Sequence, residues 1–303
     1  MSTILVNNSL PFVQLGKMLR QPELVEQRLE PVIRQQAQQN TWFTPYFCRH
    51  ALDAIASMLD EKALQDYIEH YATRDLQWNS RRKVAVISAG NIPLAAFHDF
   101  FCILLSGNDY IGKLSSQDKL LLPALAKLLT EIEPSWAERI TFVDKLSQFD
   151  AIIATGSDNS ARYFEYYFQD YPHLLRQNRN SVAVLTGDES EEQLKALCED
   201  IYLYFGLGCR SVSKLFVPEN YDFEPFLQLL HDESAPILNE HNQYLNNLEY
   251  QKAIRLMNKQ TYLDAGTFLL DKEDGYSSPI SVLYYDYYHN TQEINTLLNK
   301  EKK

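Results

Sequence analysis

A chain of 303 residues, 45% hydrophobic and 22% charged, can bury one large core or two ordinary ones. Its net charge of −12 argues against nucleic acid as a partner, because phosphate binding needs clustered Lys and Arg. The four cysteines, Cys48, Cys102, Cys198 and Cys209, form no C-x-x-C pair and fit no zinc spacing, so no metal site is expected.

Residues 1 to 16 lack a basic stretch followed by an apolar one, and no apolar run reaches about 18 residues. Neither a signal peptide nor a membrane span is therefore expected, and free thiols fit a cytoplasmic protein. Residues 20 to 80 carry helical periodicity. Leu24-Val25, Leu29, Val32-Ile33 and Ala37 recur at three- and four-residue spacing, as do Ala51, Ala54-Ile55, Met58-Leu59 and Leu64. Thr44 and Pro45 read as an N-cap and a first helical residue.

The pattern changes at Arg82. Lys83 to Ser88 is a continuous apolar run of strand length, as expected of a strand buried on both faces. Gly90-Asn91-Ile92-Pro93 breaks it, and Leu94 to Leu105 reads as a helix. Tyr110 to Leu114 is a second strand. Ser115 to Asp118 offers a cap for a helix over Leu120 to Ile132. Ile140 to Val143 and Ala151 to Thr155 are further strands. Gly156-Ser157-Asp158 then turns into a helix over Ala161 to Phe168. Ser181 to Leu185 reads as a fifth strand, and Glu191 to Phe205 as a helix. Beyond it come a strand at Lys214 to Val217, helices at Phe223 to Leu230 and His241 to Met257, and a strand at Ile280 to Tyr284.

Strands alternating with helices predict an α/β fold with a mostly parallel sheet covered on both faces. Ligands of such sheets bind at the carboxyl ends of the strands, where Asn91, Lys113 and Gly156-Ser157 fall.

Tyr204 to Ser213 carries a different chemistry. Cys209 follows Gly206-Leu207-Gly208 and precedes Arg210. Glycines admit close approach of a ligand to the backbone, and a neighbouring cation favours the nucleophilic thiolate. Cys209 is the candidate for covalent catalysis. A small residue buried at a strand entrance is the plainer alternative.

Six stretches in this order resemble the aldehyde dehydrogenase superfamily, and more closely its LuxC-like fatty acyl reductase branch. They are Asn40 to Thr44, Ala89 to Leu94, Gly107 to Ser116, Ala154 to Ser157, Arg179 to Leu185 and Phe205 to Arg210. The resemblance implies an aldehyde-dehydrogenase-like fold: a helical N-terminal region over residues 1–80, a Rossmann-type NAD(P)-binding domain over 81–205 and a smaller α/β catalytic domain over 206–303. It implies a thioester reductase acting on acyl-CoA or an acyl carrier. Cys209 would be the acyl-accepting nucleophile and Asn91 the side-chain donor of the oxyanion hole. Lys113 would grip the adenosine ribose, Ser115 would be a further cofactor-binding residue, and Gly156 with Ser157 would meet the pyrophosphate. The cofactor implied is NADPH, with Lys113 and Lys119 leaning weakly that way; NADH stays open, as does homo-oligomerisation.

Two departures from the family pattern stand out. Hydrolytic relatives carry a water-activating glutamate just before the fifth strand, whereas Arg176-Gln177-Asn178-Arg179-Asn180 has no carboxylate. The family's chains also continue beyond the point where this one stops, so the catalytic domain is expected to be shortened. A thiol acyltransferase or thioesterase pairing Cys209 with a histidine such as His173 or His231, and a non-catalytic binding subunit, are the competing readings.

Overall fold

Residues 83 to 87 are apolar enough to be walled in on both faces, and they form the central strand of a five-stranded sheet in the computed structural model. The structure describes residues 2–72, 80–156, 158–177 and 179–300. β1 (Lys83–Ile87) is joined by β2 (Asp109–Lys113), β3 (Ile140–Phe142), β4 (Ala151–Thr155) and β5 (His173–Arg176). The order is β3-β2-β1-β4-β5, and every pairing is parallel. Ile87 lies opposite Lys113 on one side and Ala154 on the other, so β1, β2 and β4 end at one level. The chain leaves β1 to one side for β2 and to the other for β4, which makes a topological switch point between β1 and β4.

Eight helices accompany this sheet among the described residues: α1 (Ser2–Leu19), α2 (Pro22–Arg28), α3 (Glu30–Gln39), α4 (Pro45–Met58), α5 (Glu61–Ala72), α6 (Phe97–Leu105), α7 (Leu121–Ile132) and α8 (Asp158–Phe168). α4 starts as its sequence predicts. Thr44 Oγ1 accepts the Phe47 amide at 3.2 Å, and Pro45 takes the first turn, where its missing N–H costs nothing. α1 packs on α6 and α7, and α3 packs on α7. Phe12 of α1 sits edge-on to Phe101 at 4.9 Å and to Trp136 at 5.4 Å, a geometry that aromatic quadrupoles favour.

The remaining chain builds a second five-stranded sheet. Its strands are β6 (Ser181–Val184), β7 (Val212–Pro218), β8 (Leu263–Asp264), β9 (Leu269–Lys272) and β10 (Val282–Tyr288), in the order β6-β7-β10-β9-β8. Only the short β8 runs antiparallel to its neighbour. α9 (Glu191–Tyr202), α10 (Glu224–Leu238), α11 (Asn242–Asn258) and α12 (Thr291–Lys300) complete it. Arg255 Nε reaches both carboxylate oxygens of Asp271, at 3.0 and 2.9 Å, a buried pair tying α11 to β9.

The chain compacts into two units, Met1–Asn178 and Arg179–Lys303. This moves the boundary expected at residues 205 and 206. Ser181 to Leu185, read as the fifth strand of the nucleotide domain, pairs instead with β7 of the second sheet. An apolar run says that a strand is buried but not which sheet buries it. The fifth strand of the first sheet is His173–Arg176, which has a polar side chain at each end and exposes Leu174 at the sheet edge. The predicted helix over Glu191 to Phe205 ends at Tyr202 because Tyr204 and Phe205 turn left-handed, at φ 53° and 59°.

Candidate functional site

The first group of candidate residues lies at the carboxyl end of the first sheet. Asn91 follows the exit of β1 and is exposed. Lys113 is the last residue of β2, also exposed, with its carbonyl accepting the Ser88 amide at 3.0 Å. Gly90 and Ser115 meet between them. A Cβ on Gly90 would lie 2.2 Å from Ser115 Oγ, so only glycine lets these two strand exits close up. Ser115 Oγ also accepts the Gln117 amide at 3.2 Å, which makes it part of a turn as well as a candidate cofactor contact.

Gly156 follows β4 directly. A Cβ there would meet Ser160 and Phe164 of α8 at 2.9 Å, so this glycine brings the helix close to the strand. Its amide donates to Arg176 O at 3.1 Å and so belongs to the sheet. The backbone donors for an anion would have to come from the residues opening α8. Ser157 lies outside the described residues.

Arg176, at the end of β5, puts one guanidinium nitrogen 2.7 and 2.6 Å from the two oxygens of Asp99 in α6. Asp99 is buried. It is the carboxylate that reaches this end of β5, and both of its oxygens face an arginine, so it is no free base. Seventy-seven residues separate the pair, and nothing local in the sequence announces it.

Asp118, which the sequence offers as part of a cap, does more. It is buried, and its Oδ2 accepts the Leu94 amide at 2.8 Å. Burial pushes its carboxyl up to about 6, against the opposing pull of the Leu94 and Leu121 amides.

The second group surrounds Cys209, in the segment that enters β7. Tyr204, Phe205 and Gly206 are consecutive left-handed residues, at φ 53°, 59° and 72°. Only the glycine adopts this conformation without strain. Phe205 holds it in place: its buried ring lies 4.4 Å from His241 and 5.6 Å from Tyr244. His241 Nδ1 in turn accepts the Tyr244 amide at 3.0 Å, capping α11. Leu207 N–H donates to Tyr204 O and Ser211 N–H to Gly208 O, both at 3.0 Å, so Cys209 rides on two linked turns.

The thiols differ sharply. Cys209 is exposed, as is Arg210 beside it. Cys48 and Cys198 are buried, and burial pushes each up to about 12. Burial also raises Cys102. The buried-residue alternative for Cys209 is therefore excluded. The histidines weighed as its partners are engaged with backbone. His173 Nδ1 lies 3.1 and 2.9 Å from Phe168 O and Tyr171 O, and His231 Nδ1 lies 3.1 Å from Ala265 O.

Beyond Cys209, β7 pins a loop. Ser213 Oγ donates to Tyr276 O and Lys214 Nζ to Glu273 O, both at 2.6 Å. Lys214 is almost wholly buried, its ammonium 5.1 Å from the Phe216 ring centre and 5.4 Å from that of Tyr276. At the opposite end of the same strand, a cleft of about 790 Å³ is lined by Thr186, Glu189, Glu219, Asp222 and His289 among others. Among the described residues no cluster of His, Cys, Asp or Glu could hold a metal ion, and no helix is long and apolar enough to cross a membrane.

Comparison with known proteins gives the family and the fold. A model of the acyl-CoA reductase (LuxC) family matches residues 19–296. No curated protein matches the chain in sequence. Solved structures of similar fold include an NAD-dependent benzaldehyde dehydrogenase from Corynebacterium glutamicum, 13% identical with a TM-score of 0.68, covering 97% of this chain and 74% of its own. Another is an aldehyde dehydrogenase from Bacillus cereus in complex with NAD+, 16% identical with a TM-score of 0.62, covering 96% and 68%. The aldehyde dehydrogenase KauB from Pseudomonas aeruginosa is 14% identical with a TM-score of 0.64, covering 97% and 70%. At such identities the likeness extends to the aldehyde-dehydrogenase-like fold.

Proposed function

This chain belongs to the LuxC family of acyl-CoA reductases, and from that premise we propose that it reduces an acyl thioester to an aldehyde through an acyl group carried on Cys209. The observation that carries the reading is that Cys209 is an exposed thiol just after a left-handed run at Tyr204 to Gly206, while Cys48 and Cys198 are buried and Cys102 is half-buried.

The Cys209 thiolate attacks the carbonyl carbon of acyl-CoA. The tetrahedral oxyanion collapses, the C–S bond to coenzyme A breaks, and the coenzyme leaves as its thiolate. Asn91 donates a hydrogen bond to that oxyanion, together with the Cys209 backbone N–H; such donors stabilise the transition state by about 3–4 kcal/mol. NADPH bound here would supply the hydride that reduces the thioester to an aldehyde, the electron pair of the broken C–S bond going to the Cys209 sulfur. Lys113 and Ser115 would hold its ribose end and the start of α8 its pyrophosphate. Gly90, where a Cβ would collide with Ser115, lets the exits of β1 and β2 close together and so keeps Asn91 near Lys113 and Ser115. NADH in place of NADPH leaves this assignment of residues unchanged. Water competes poorly for the acyl group, since the Arg176 to Asn180 stretch offers no carboxylate and Asp99 is engaged by Arg176.

The test is mass spectrometry of the protein after incubation with acyl-CoA. One acyl group should appear on Cys209, persist without nucleotide, and vanish with release of aldehyde when NADPH is added. Cys209→Ser should form no thioester while binding NADPH as tightly as the parent. An adduct of equal yield on another cysteine sinks the assignment. Hydrolysis within seconds without nucleotide makes the protein a thioesterase instead.

A further inference from the structure

The segment leaving β1 contains a residue under strain. Leu94 is buried and adopts φ 58°, a conformation that costs a non-glycine residue roughly 1–2 kcal/mol. It lies three residues beyond Asn91. Two bonds hold its peptide units: its amide donates to Asp118 Oδ2 at 2.8 Å, and its carbonyl accepts the Phe97 amide at 2.9 Å, where α6 begins.

Asp118 is itself held from several sides. Its amide donates to Ser115 O at 3.2 Å. Gln36 and Asn40, from α3 and its end, donate to the neighbouring Gln117 O at 2.8 and 3.3 Å, and Leu120 N–H returns to Gln36 Oε1 at 3.2 Å. The Ser115 to Leu120 turn is thus fixed to a helix outside the sheet. It touches the β1 exit at two points, Ser115 against Gly90 and Asp118 against Leu94. Asn91 lies between those two points.

We propose that Asp118 is a positioning residue for the oxyanion donor: by holding Leu94 in its left-handed conformation it fixes the Gly90 to Leu94 segment and thereby the place of Asn91. The proposal rests on the assignment of Asn91 to the oxyanion hole. A buried carboxylate is a costly way to hold backbone amides such as that of Leu94, and the cost is intelligible where the backbone it holds must not relax.

The experiment is a double-mutant cycle on the rate of Cys209 acylation at saturating acyl-CoA, read by mass spectrometry in single turnover. Asp118→Ala should slow acylation at least tenfold, with iodoacetamide alkylation of Cys209 and NADPH affinity changed less than twofold. Asp118→Asn keeps an acceptor for the Leu94 amide and should stay within about fivefold of the parent. In an Asn91→Ala background, Asp118→Ala should cost less than a further twofold, because the group it positions is gone. If Asp118→Ala folds too poorly to assay, Leu94→Gly in the same chain removes the strain and carries the comparison.

An Asp118→Ala protein that acylates at the parental rate overturns the proposal, provided Asn91→Ala is slow. So does a tenfold cost that survives in the Asn91→Ala background, which marks a purely structural role. An Asn91→Ala protein that acylates at the parental rate defeats the oxyanion reading itself, and this proposal with it.

Discussion

The two sheets place their reactive residues at opposite ends. In the first, Asn91, Lys113 and Gly156 all follow or end parallel strands, on the carboxyl side where an open α/β sheet leaves a crevice. In the second, Cys209 precedes β7 and so lies at its amino end, while the cleft at the carboxyl ends of β6, β7 and β10 is acidic and holds no thiol. A strand end places a residue simply by stopping. A strand entrance needs a separate device, and here it is three left-handed residues pinned by one buried ring. On the proposed reading, binding is built from regular structure, and the nucleophile from an exception to it.

That contrast can be broken at its exception first. Phe205→Ala removes the ring that packs on His241 and Tyr244, and large buried aromatics cost about 3–5 kcal/mol on truncation. Acylation of Cys209 should slow in the same variant while NADPH binding holds, as read by thermal unfolding, mass spectrometry and calorimetry together. An equal loss of nucleotide affinity would end the separation of roles. Lys113→Ala probes the other side. It should weaken NADPH by about 1–3 kcal/mol, the scale of a charged hydrogen bond, without slowing alkylation of Cys209 by iodoacetamide. Unchanged affinity in calorimetry would move the nucleotide away from the end of β2.

The smallest effect is a pH dependence. Asp118, faced by Cys48 and Tyr110, binds its proton more tightly folded than unfolded, because burial raises its carboxyl to about 6 from an ordinary 3.8. Between those values the native state holds the extra proton, so the stability from this group is full below pH 3.8 and is lost as pH rises through about 6. Asp118→Asn lacks that slope. Its Tm should gain on the parent by a few degrees between pH 4 and pH 7. Parallel Tm curves for the two proteins would refute the shift.

The succession of β1 to β4 along the chain, and the exits that carry Asn91, Lys113 and Gly156, are legible because short stretches rich in apolar or β-branched residues are each ended by polar or small ones. Cys209 is legible from its glycines. Periodicity alone starts the helical region at residue 20 and misses α1, since residues 2 to 19 show no acidic first turn and include Pro11; the resemblance extends that region to residue 1. β5 escapes because its four residues look like a polar connection, and an edge strand needs no more. Asp99, Asp118 and Lys214 are invisible for a different reason. Their partners, Arg176, Leu94 and the Glu273 carbonyl, are fixed by packing between segments far apart in the chain.

The left-handed run before Cys209 also sets a timetable. Tyr204 and Phe205 together carry roughly 2–4 kcal/mol of backbone strain, and the contacts that offset it come from His241 and Tyr244. Those residues leave the ribosome after Cys209 does. A nascent chain that has emerged only as far as β7 lacks those contacts, so the ring packing that holds the run before Cys209, the proposed nucleophile, is complete only once α11 has followed.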